Sequence, residues 1–420
     1  MRISTNEFLL GQVNDILAQQ ENLNKLNRQI STGQTLINAS DNPGAAGEVI
    51  QLSNQVGALA YDAANGQAAT QTLQSGVSAL QQVTNLIDQL RTTVTAAANG
   101  GVTSQTERQS DASLAQTVLQ QLIQLANTQG PDGGYLFSGS KSNAPAFQTL
   151  PNGQVVFAGD GNTNQVQIAP ALNITSTVSG QNLFTNIPAG NNGNAVTADS
   201  TNTGTAFVLA QGVTNLSQVT AASIAGTEYD ITFSGPTTSL TYQVTSGQGV
   251  PGSAGYNATS GVVASGSYSP GSYIGFSGIT VGINGTPSAG DGFAVKPGST
   301  TTVFQIVQDF INALNLPQGS GAQNAQAQQA LQNVLSNLEG ALTGVFSAQA
   351  TLGTSLSEIQ SVATQTTSQS AGANATISNL QSANLPQVVA NYSESLTALQ
   401  AAELAFAKVQ NLTLFQYLKP

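Results

Sequence analysis

The sequence contains no cysteine, no histidine and no tryptophan. Without cysteine the chain has no disulfide, no thiolate nucleophile and no cysteine-ligated zinc. Without histidine it lacks the side chain that most often serves as a general base or a metal ligand, so Ser-His-Asp and Cys-His arrangements are impossible. We therefore predict a protein that is not an enzyme, with no catalytic residue, no cofactor and no metal site.

Charged residues are also scarce, and few of them are basic. They make up 7% of the chain, with 9 Lys and Arg against 20 Asp and Glu, so the formal net charge is -11. In ordinary soluble proteins about a quarter of the residues are charged. Phosphate backbones and anionic membranes both attract proteins through Lys and Arg. We therefore predict no nucleic-acid partner and no membrane insertion. The low charge fits a surface covered by other subunits, or one that is simply neutral.

The N-terminal region has the periodicity of long helices. Apolar residues recur every seven positions at Leu9, Ile16, Leu23 and Ile30, a spacing typical of a coiled-coil seam. This ladder predicts a helix from about residue 4 to about residue 33.

A second helix is predicted after a polar turn. Asp41 or Asn42 can act as its N-cap, and Pro43 suits its first turn. Its sevenfold ladder consists of Leu52, Leu59, Gly66, Leu73, Leu80, Ile87 and Val94. Gly66 is either a point of close approach for a neighbouring element or a weak point of the helix. A third helix is predicted over residues 104–128.

Between the helical ends the composition changes to Gly, Thr, Ser and Asn. Apolar residues alternate with polar ones at 229–233, 240–244, 279–283 and 293–295, which predicts an antiparallel β domain over residues 186–300. Two further strands are predicted at 135–139 and 154–157, and residues 189–205 could instead be a linker. Glu228 and Asp230 lie two apart on one strand, which predicts an exposed acidic face.

The C-terminal region is again helical by pattern. One heptad core position is apolar without interruption from residue 331 to residue 359. The other contains one polar residue, Gln349, whose amide we expect to reach solvent, the alternative being a role in fixing register. The last ladder and the apolar end of the chain contain Leu385, Tyr392, Leu399, Phe406, Leu412 and Phe415.

Each helical end has a seam that needs a partner, and the simplest partner is the other end. The predicted fold class is α+β, with a long antiparallel helical bundle or coiled coil made from both chain termini and an inserted antiparallel β domain. The predicted division is a coiled-coil arm at 1–41, a helical core at 42–185 (with a β-hairpin) and 301–370, the β insertion at 186–300 and a second arm at 371–420. The predicted assembly interface consists of Leu9, Ile16, Leu23, Ile30, Leu385, Tyr392, Leu399, Phe406, Leu412 and Phe415.

Short motifs at both ends resemble those of the flagellin family of bacterial flagellar proteins. They are residues 1–5 (MRIST), 29–33 (QISTG), 37–43 (INASDNP), 135–141 (YLFSGSK) and 412–418 (LTLFQYL). The last two resemble the family members that join hook to filament more than ordinary flagellin. The resemblance covers about residues 1–170 and 300–420. Gln34 and Thr35 stand where basic residues are common, and Asn42 stands where Asp is common.

The resemblance implies a structural subunit that joins hook to filament by polymerising as a short ring zone through its terminal helices. It implies an extracellular protein, exported through the flagellar type III channel without a cleaved signal peptide. The implied partners are an export chaperone, the other hook-associated protein on the hook side and flagellin on the filament side. In such proteins the terminal arms form the inner tube, are disordered in the monomer and fold on assembly, and the insertion faces outward.

Two other functions remain open from the sequence. A minor flagellin would build the filament itself, so its loss would change filament length or shape without releasing flagellin into the medium. An adhesion or carbohydrate-binding module carried by the β insertion would bind in a glycan screen of residues 186–300.

Overall fold

The computed structural model describes residues 5–100, 104–191, 193–247 and 261–411. The chain falls into two compact units. Unit 1 comprises residues 1–64 and 361–420, and unit 2 comprises residues 65–360. Both ends of the chain therefore belong to one unit, and the middle of the chain forms the other.

The described part of unit 1 is helical. Helices α1 (Thr5–Thr32) and α7 (Leu385–Asn411) pack against each other, and the unit includes the first part of α2 (Pro43–Ala98) and the last part of α6 (Gly321–Gln381). Helix α1 is followed by Gly33, whose φ of +68° lies in the left-handed region that glycine tolerates best. Asn42 Oδ1 accepts the Ala45 N–H at 3.1 Å. Asn42 is thus the cap of α2, and Pro43 occupies the first position, where its missing N–H has no cost.

The helical part of unit 2 contains the rest of α2 and α6 together with α3 (Gln105–Ala126) and α5 (Val303–Asn315). Ser104 and Glu107 form a capping box at the start of α3. The predicted ladders line the core, since the following side chains are buried: Leu73, Leu80, Ile87, Val94, Leu331, Leu338, Val345, Leu352 and Ile359. The heptad pattern therefore identified this core correctly.

The structure places two further positions of these ladders. A Cβ added to Gly66 would lie 3.5 Å from Ile359 Cγ2, an ordinary van der Waals distance, so the packing there does not require glycine. Gln349 does not point freely into solvent, because its Nε2 donates to Thr84 Oγ1 at 3.3 Å. That expectation was wrong because a hydroxyl acceptor lies within reach on α2.

A segment of turns and short strands follows α3. Strands β1 (Phe147–Thr149) and β2 (Val155–Phe157) pair antiparallel, as do β3 (Gln165–Ala169) and β4 (Leu172–Thr175), and a π-helical turn covers Gln181–Thr185. Strand β2 confirms the strand predicted at 154–157. The strand predicted at 135–139 is wrong. Gly139 has a φ of +73° there, and the carboxylate of Asp160 accepts the Ser140 N–H at 2.8 Å, so the backbone turns.

The described residues of the β insertion form a five-stranded and a three-stranded antiparallel sheet. Their strands are β6 (Asn194–Ala198), β7 (Phe207–Val213), β8 (Glu228–Ser234), β9 (Thr241–Gly247), β10 (Val262–Ser267), β11 (Tyr273–Phe276), β12 (Ile279–Asn284) and β13 (Gly292–Pro297). The strand orders are β10-β9-β8-β13-β6 and β11-β12-β7. Residues 189–205 include β6 and are therefore not simply a linker.

The insertion has a hydrophobic core of its own. Helix α4 (Leu216–Ile224) contributes Val219 and Ala222 to it, and the central side chains of β8, β12 and β13 are buried in it. The short strands β5 (Ile187–Pro188) and β14 (Thr300–Thr301) pair where the chain enters and leaves the insertion. Among the described residues no helix is both long and apolar enough to cross a membrane.

The acidic face predicted at Glu228 and Asp230 is not exposed. Glu228 is only 4% exposed, and its Oε1 lies 2.7 Å from Nζ of Lys296 on the neighbouring strand β13. Asp230 is half-buried on the same face of the sheet. The exposed-face prediction was wrong because the strand pairing, which sequence spacing does not specify, brings a lysine across Glu228.

Candidate assembly surface

Helices α1 and α7 form an antiparallel pair. Asn22 Nδ2 donates to Ser395 Oγ at 3.3 Å, whereas Gln34, after the end of α1, bridges to Ser382, before the start of α7. Residues further along α1 thus face residues earlier in α7. The two chain ends are each other's partner, as the seam argument predicts.

Most of the predicted interface residues that can be placed face this seam. Leu23 and Leu399 are buried. Four others are half-buried, namely Ile16, Ile30, Tyr392 and Phe406. Leu385 is different, because it lies at the first residue of α7 and is 43% exposed.

Three predicted interface residues cannot be placed in this way. Leu9 belongs to α1, but its side chain is not among those described, and Leu412 and Phe415 lie outside the described residues. Apart from Leu385, the predicted interface residues that can be placed are thus buried or half-buried within one chain, and their role in assembly stays a prediction.

The two helix breaks of unit 1 are joined by backbone hydrogen bonds. Thr35 N donates to the Gln381 carbonyl at 2.7 Å, and Ala383 N donates to the Gly33 carbonyl at 2.8 Å. Thr35 Oγ1 donates to the Ser382 carbonyl at 2.8 Å. We call this joint the clasp, comprising residues 33–35 and 381–383. It begins at Gly33, the last residue of the QISTG motif.

An ion pair follows the clasp. Lys25 Nζ lies 2.9 Å from Asp41 Oδ1, while Asp41 Oδ2 accepts the N–H groups of Asn38 and Ile37 at 2.9 and 3.2 Å. The backbone N–H of Asn38 and the Lys25 ammonium hold the pKa of Asp41 below its usual value. The INASDNP motif therefore has a structural role: Asp41 closes the turn before α2, and Asn42 caps that helix.

A second apolar stripe on α1 and α7 is left uncovered. On α1, Leu10 and Leu17 are 58% and 56% exposed, and Val13 lies between them. On α7 the exposed apolar residues are Leu385, Val389, Leu396 and Leu404. Large exposed apolar patches are unusual in monomeric soluble proteins and mark interaction sites. We call these seven side chains the terminal stripe.

Most of the terminal stripe lies on one side of the helix pair. Leu17 directly follows the half-buried Ile16, and Val389 directly follows the buried Val388. Because an α-helix turns by about 100° per residue, Leu17 and Val389 each point about 100° away from the buried side of their helix. Because the helices are antiparallel, equal rotations in the two helices point to the same side of the pair. The apolar residues of both helices therefore contribute to one surface.

Of the terminal stripe, the sevenfold ladders contain only Leu385. Leu10, Val13 and Leu17 are spaced three and four apart. A face wider than a strict coiled-coil seam could have been recognised by adding these residues to Ile16 and Leu23. Within the described ranges no three acidic side chains form a cluster that could hold a metal ion.

Comparison with known proteins points to flagellar relatives. A family model described as the bacterial flagellin N-terminal helical region matches residues 3–142. Flagellar hook-associated protein 3 of Salmonella typhimurium is 34% identical over 153 residues, which are 36% of this chain and 48% of that protein. The same-named protein of Escherichia coli is 30% identical over 187 residues, which are 44% of this chain and 58% of that protein. The chain thus matches about half the length of these curated relatives.

Solved structures agree over a larger part of the fold. The flagellar junction protein FlgL from Legionella pneumophila superposes with a TM-score of 0.69 at 29% identity, covering 80% of this chain and all of that chain. FlgL from Xanthomonas campestris gives a TM-score of 0.66 at 26% identity, covering 78% of this chain and 99% of that chain.

These matches confirm the predicted α+β fold class, and none of these relatives is named as an enzyme, in agreement with the prediction. Residues 3–142 of the chain are thus similar to the N-terminal helical region of bacterial flagellins, and the relatives described here are flagellar hook-associated and junction proteins.

Proposed function

We propose that the protein is a structural subunit of the bacterial flagellum, located at the junction between hook and filament, and that it assembles with copies of itself through unit 1. The observation that carries this proposal is the terminal stripe. A seam that is already filled within the chain leaves this second apolar surface free to pack against a neighbouring copy.

The energetics favour such packing. Burying apolar surface contributes roughly 25 cal/mol per Å², so a few leucine side chains per contact supply several kcal/mol. The sequence from residue 359 to residue 393 contains no Asp, Glu, Lys or Arg, so the last part of α6 and the start of α7 bring little like-charge repulsion to a contact between copies.

The proposal includes the finer features implied by the family. The subunits form a short ring zone, with the other hook-associated protein on the hook side and flagellin on the filament side. The chain is held by an export chaperone and then leaves the cell through the flagellar export channel, without a cleaved signal peptide. This function requires only packing between subunits and no chemical reaction.

Two stripe residues provide the test. Replacing Leu17 and Leu396 with Gln removes apolar area from α1 and α7 and leaves the seam residues in place. We expect the double variant to keep the helical circular dichroism of the native chain and to be exported. Cells that carry it in place of the native chain should lose motility and release flagellin into the medium.

A matched control is Phe346→Gln, which removes a 52% exposed apolar side chain on α6 in unit 2. Control cells should swim normally. Full filaments on cells with the double variant would refute the role of the stripe. If deletion of the whole chain alters only filament length or shape, the protein is a minor flagellin instead.

A further inference from the structure

Four amide side chains along α6 contact the β insertion. Asn333 Nδ2 donates to the Val196 carbonyl at 2.7 Å, and Gln326 Nε2 donates to the Ser200 carbonyl at 3.1 Å. All four, Gln326, Gln329, Asn333 and Asn337, are spaced three or four apart, so they lie on one face of the helix. We call this set the amide ladder.

The other two members accept hydrogen bonds. Gln329 Oε1 accepts the Val208 N–H at 2.6 Å, and Asn337 Oδ1 accepts the Gly190 N–H at 2.6 Å. Gln329 and Asn337 are both buried, at 3% and 7% exposure. Gln329 Nε2 also donates to Asn333 Oδ1 at 3.0 Å, which links neighbouring members of the ladder.

Two of the four partners of the ladder lie on edge strands of the insertion's two sheets, and the other two, Gly190 and Ser200, lie in the segments on either side of β6. Strand β6 is the last strand of the five-stranded sheet, and β7 is the last strand of the three-stranded sheet. Val196 lies on β6 and Val208 lies on β7. The edge of a sheet presents unpaired N–H and C=O groups, which cost free energy when buried and can pair with other chains when exposed. The amide ladder satisfies such groups on both edges.

Glycines at either end of this face allow the insertion to approach closely. A Cβ on Gly321 would lie 2.8 Å from Thr205 Cγ2, and a Cβ on Gly340 would lie 3.2 Å from the Pro188 carbonyl oxygen. The contact therefore extends along the helix from residue 321 to residue 340.

We propose that the amide ladder is the docking site that orients the β insertion on the helical core, and that it recognises main-chain groups rather than side chains. Each of the four contacts ends on a backbone N–H or C=O. A side-chain amide offers both a donor and an acceptor, so one residue type serves both kinds of backbone group. The same ladder can therefore hold insertions whose side chains differ, provided that their edge strands present the same backbone groups.

The first test removes three ladder amides together, as Gln329→Ala, Asn333→Ala and Asn337→Ala. The matched control is Gln332→Ala, a half-buried neighbour on α6 outside the ladder. We measure backbone hydrogen exchange with residue-level resolution. We expect the Gly190 and Val208 amides to exchange about tenfold faster in the triple variant, the change expected when one hydrogen bond is lost. Amides of the core strands β8 and β9 should keep native rates, as should all amides of the control.

Native exchange at Gly190 and Val208 in the triple variant would overturn the proposal. Loss of protection in β8 and β9 as well would also overturn it, because the ladder would then be needed for folding of the insertion rather than for docking.

A second test separates main-chain recognition from packing. An ionised Asp at 333 has no hydrogen to donate to the Val196 carbonyl, whereas an Asp at 337 keeps an acceptor for the Gly190 N–H. We therefore expect Asn333→Asp to accelerate exchange across residues 190–208 more than Asn337→Asp does. Desolvation of the new charge alone predicts the reverse order, since position 337 is the more buried of the two. The reverse order would overturn main-chain recognition.

Discussion

Asp230 shows how one buried carboxyl can make stability depend on pH. Burial, with a smaller contribution from the charge of Asp199, raises the pKa of Asp230 to about 6. The folded protein therefore retains a proton between about pH 4 and pH 6 that the unfolded chain has already lost. The free energy of unfolding should fall as pH rises through this window. Above about pH 6 the folded protein carries the full cost of burying the ionised carboxylate of Asp230.

We expect Asp230→Asn to remove this penalty. The variant should unfold at a higher temperature than the native protein at pH 7, with a gain of at most about 1 kcal/mol because the carboxyl is only half-buried and solvent screens it. At pH 4 the two proteins should unfold at similar temperatures. Calorimetry at both pH values makes the comparison, with the exposed Glu339→Gln as control. An equal increase in unfolding temperature at pH 4 and pH 7 would contradict the raised pKa of Asp230.

At Gly139, a second such residue, the environment accommodates no residue that has a Cβ. A Cβ there would lie 2.1 Å from Asp160 Oδ1, and the φ of +73° is unfavourable for any other residue. Hydrogen bonds from the Ser140 hydroxyl and from the Ser140 N–H lower the pKa of Asp160 and keep its carboxylate folded against this turn.

We expect Gly139→Ala to lower the free energy of unfolding by about 2–4 kcal/mol, combining backbone strain with a clash. Gly133→Ala is the matched control, because its φ is +79° but an added Cβ would meet nothing within 4 Å. The control should lose only about 1 kcal/mol. Urea unfolding of the two variants separates the clash from the strain, and equal losses would show that Asp160 does not restrict this position.

At the scale of elements, the same substitution should affect helical structure differently in the seam and in the terminal stripe of α7. Leu399 is 8% exposed and faces α1, whereas Leu404 is 66% exposed. Leu399→Asp places a charge in the seam and should cost about 3 kcal/mol or more. Leu404→Asp should leave the α1–α7 pair intact.

Circular dichroism and junction assembly together distinguish the two variants. Leu399→Asp should lose part of its helical signal and fail to build the junction while still being exported. Leu404→Asp should keep its helical signal and still fail to assemble. Normal filaments in cells with Leu399→Asp would contradict the role given to the seam.

At the scale of the whole molecule, the order of elements along the chain explains why both ends share one unit. The clasp brings residues 33–35 and 381–383 together across most of the sequence. The insertion, in contrast, has its own core of buried side chains between Val196 and Val295. Surface residues of the insertion can therefore be substituted without disturbing the packing of unit 1.

Sequence patterns predicted the long helices, the seam, and four of the eight described strands in the two sheets of the insertion, namely β8, β9, β12 and β13. Sevenfold and twofold periodicities arise from local backbone geometry, so they can be read without knowing the partner. Local patterns also predicted the end of the first helix near residue 33 and a cap at Asp41 or Asn42, of which the structure shows Asn42.

Which polar residues make long-range contacts depends on the tertiary structure. The chain is rich in Gln and Asn, and nothing local distinguishes Asn333 from Gln332. The ladder exists because two sheet edges lie against α6, and Glu228 is buried because β13 brings Lys296 beside it. Hydrogen-bond partners more than a hundred residues apart leave no periodic signal in a sequence, since their meeting depends on the packing of whole elements.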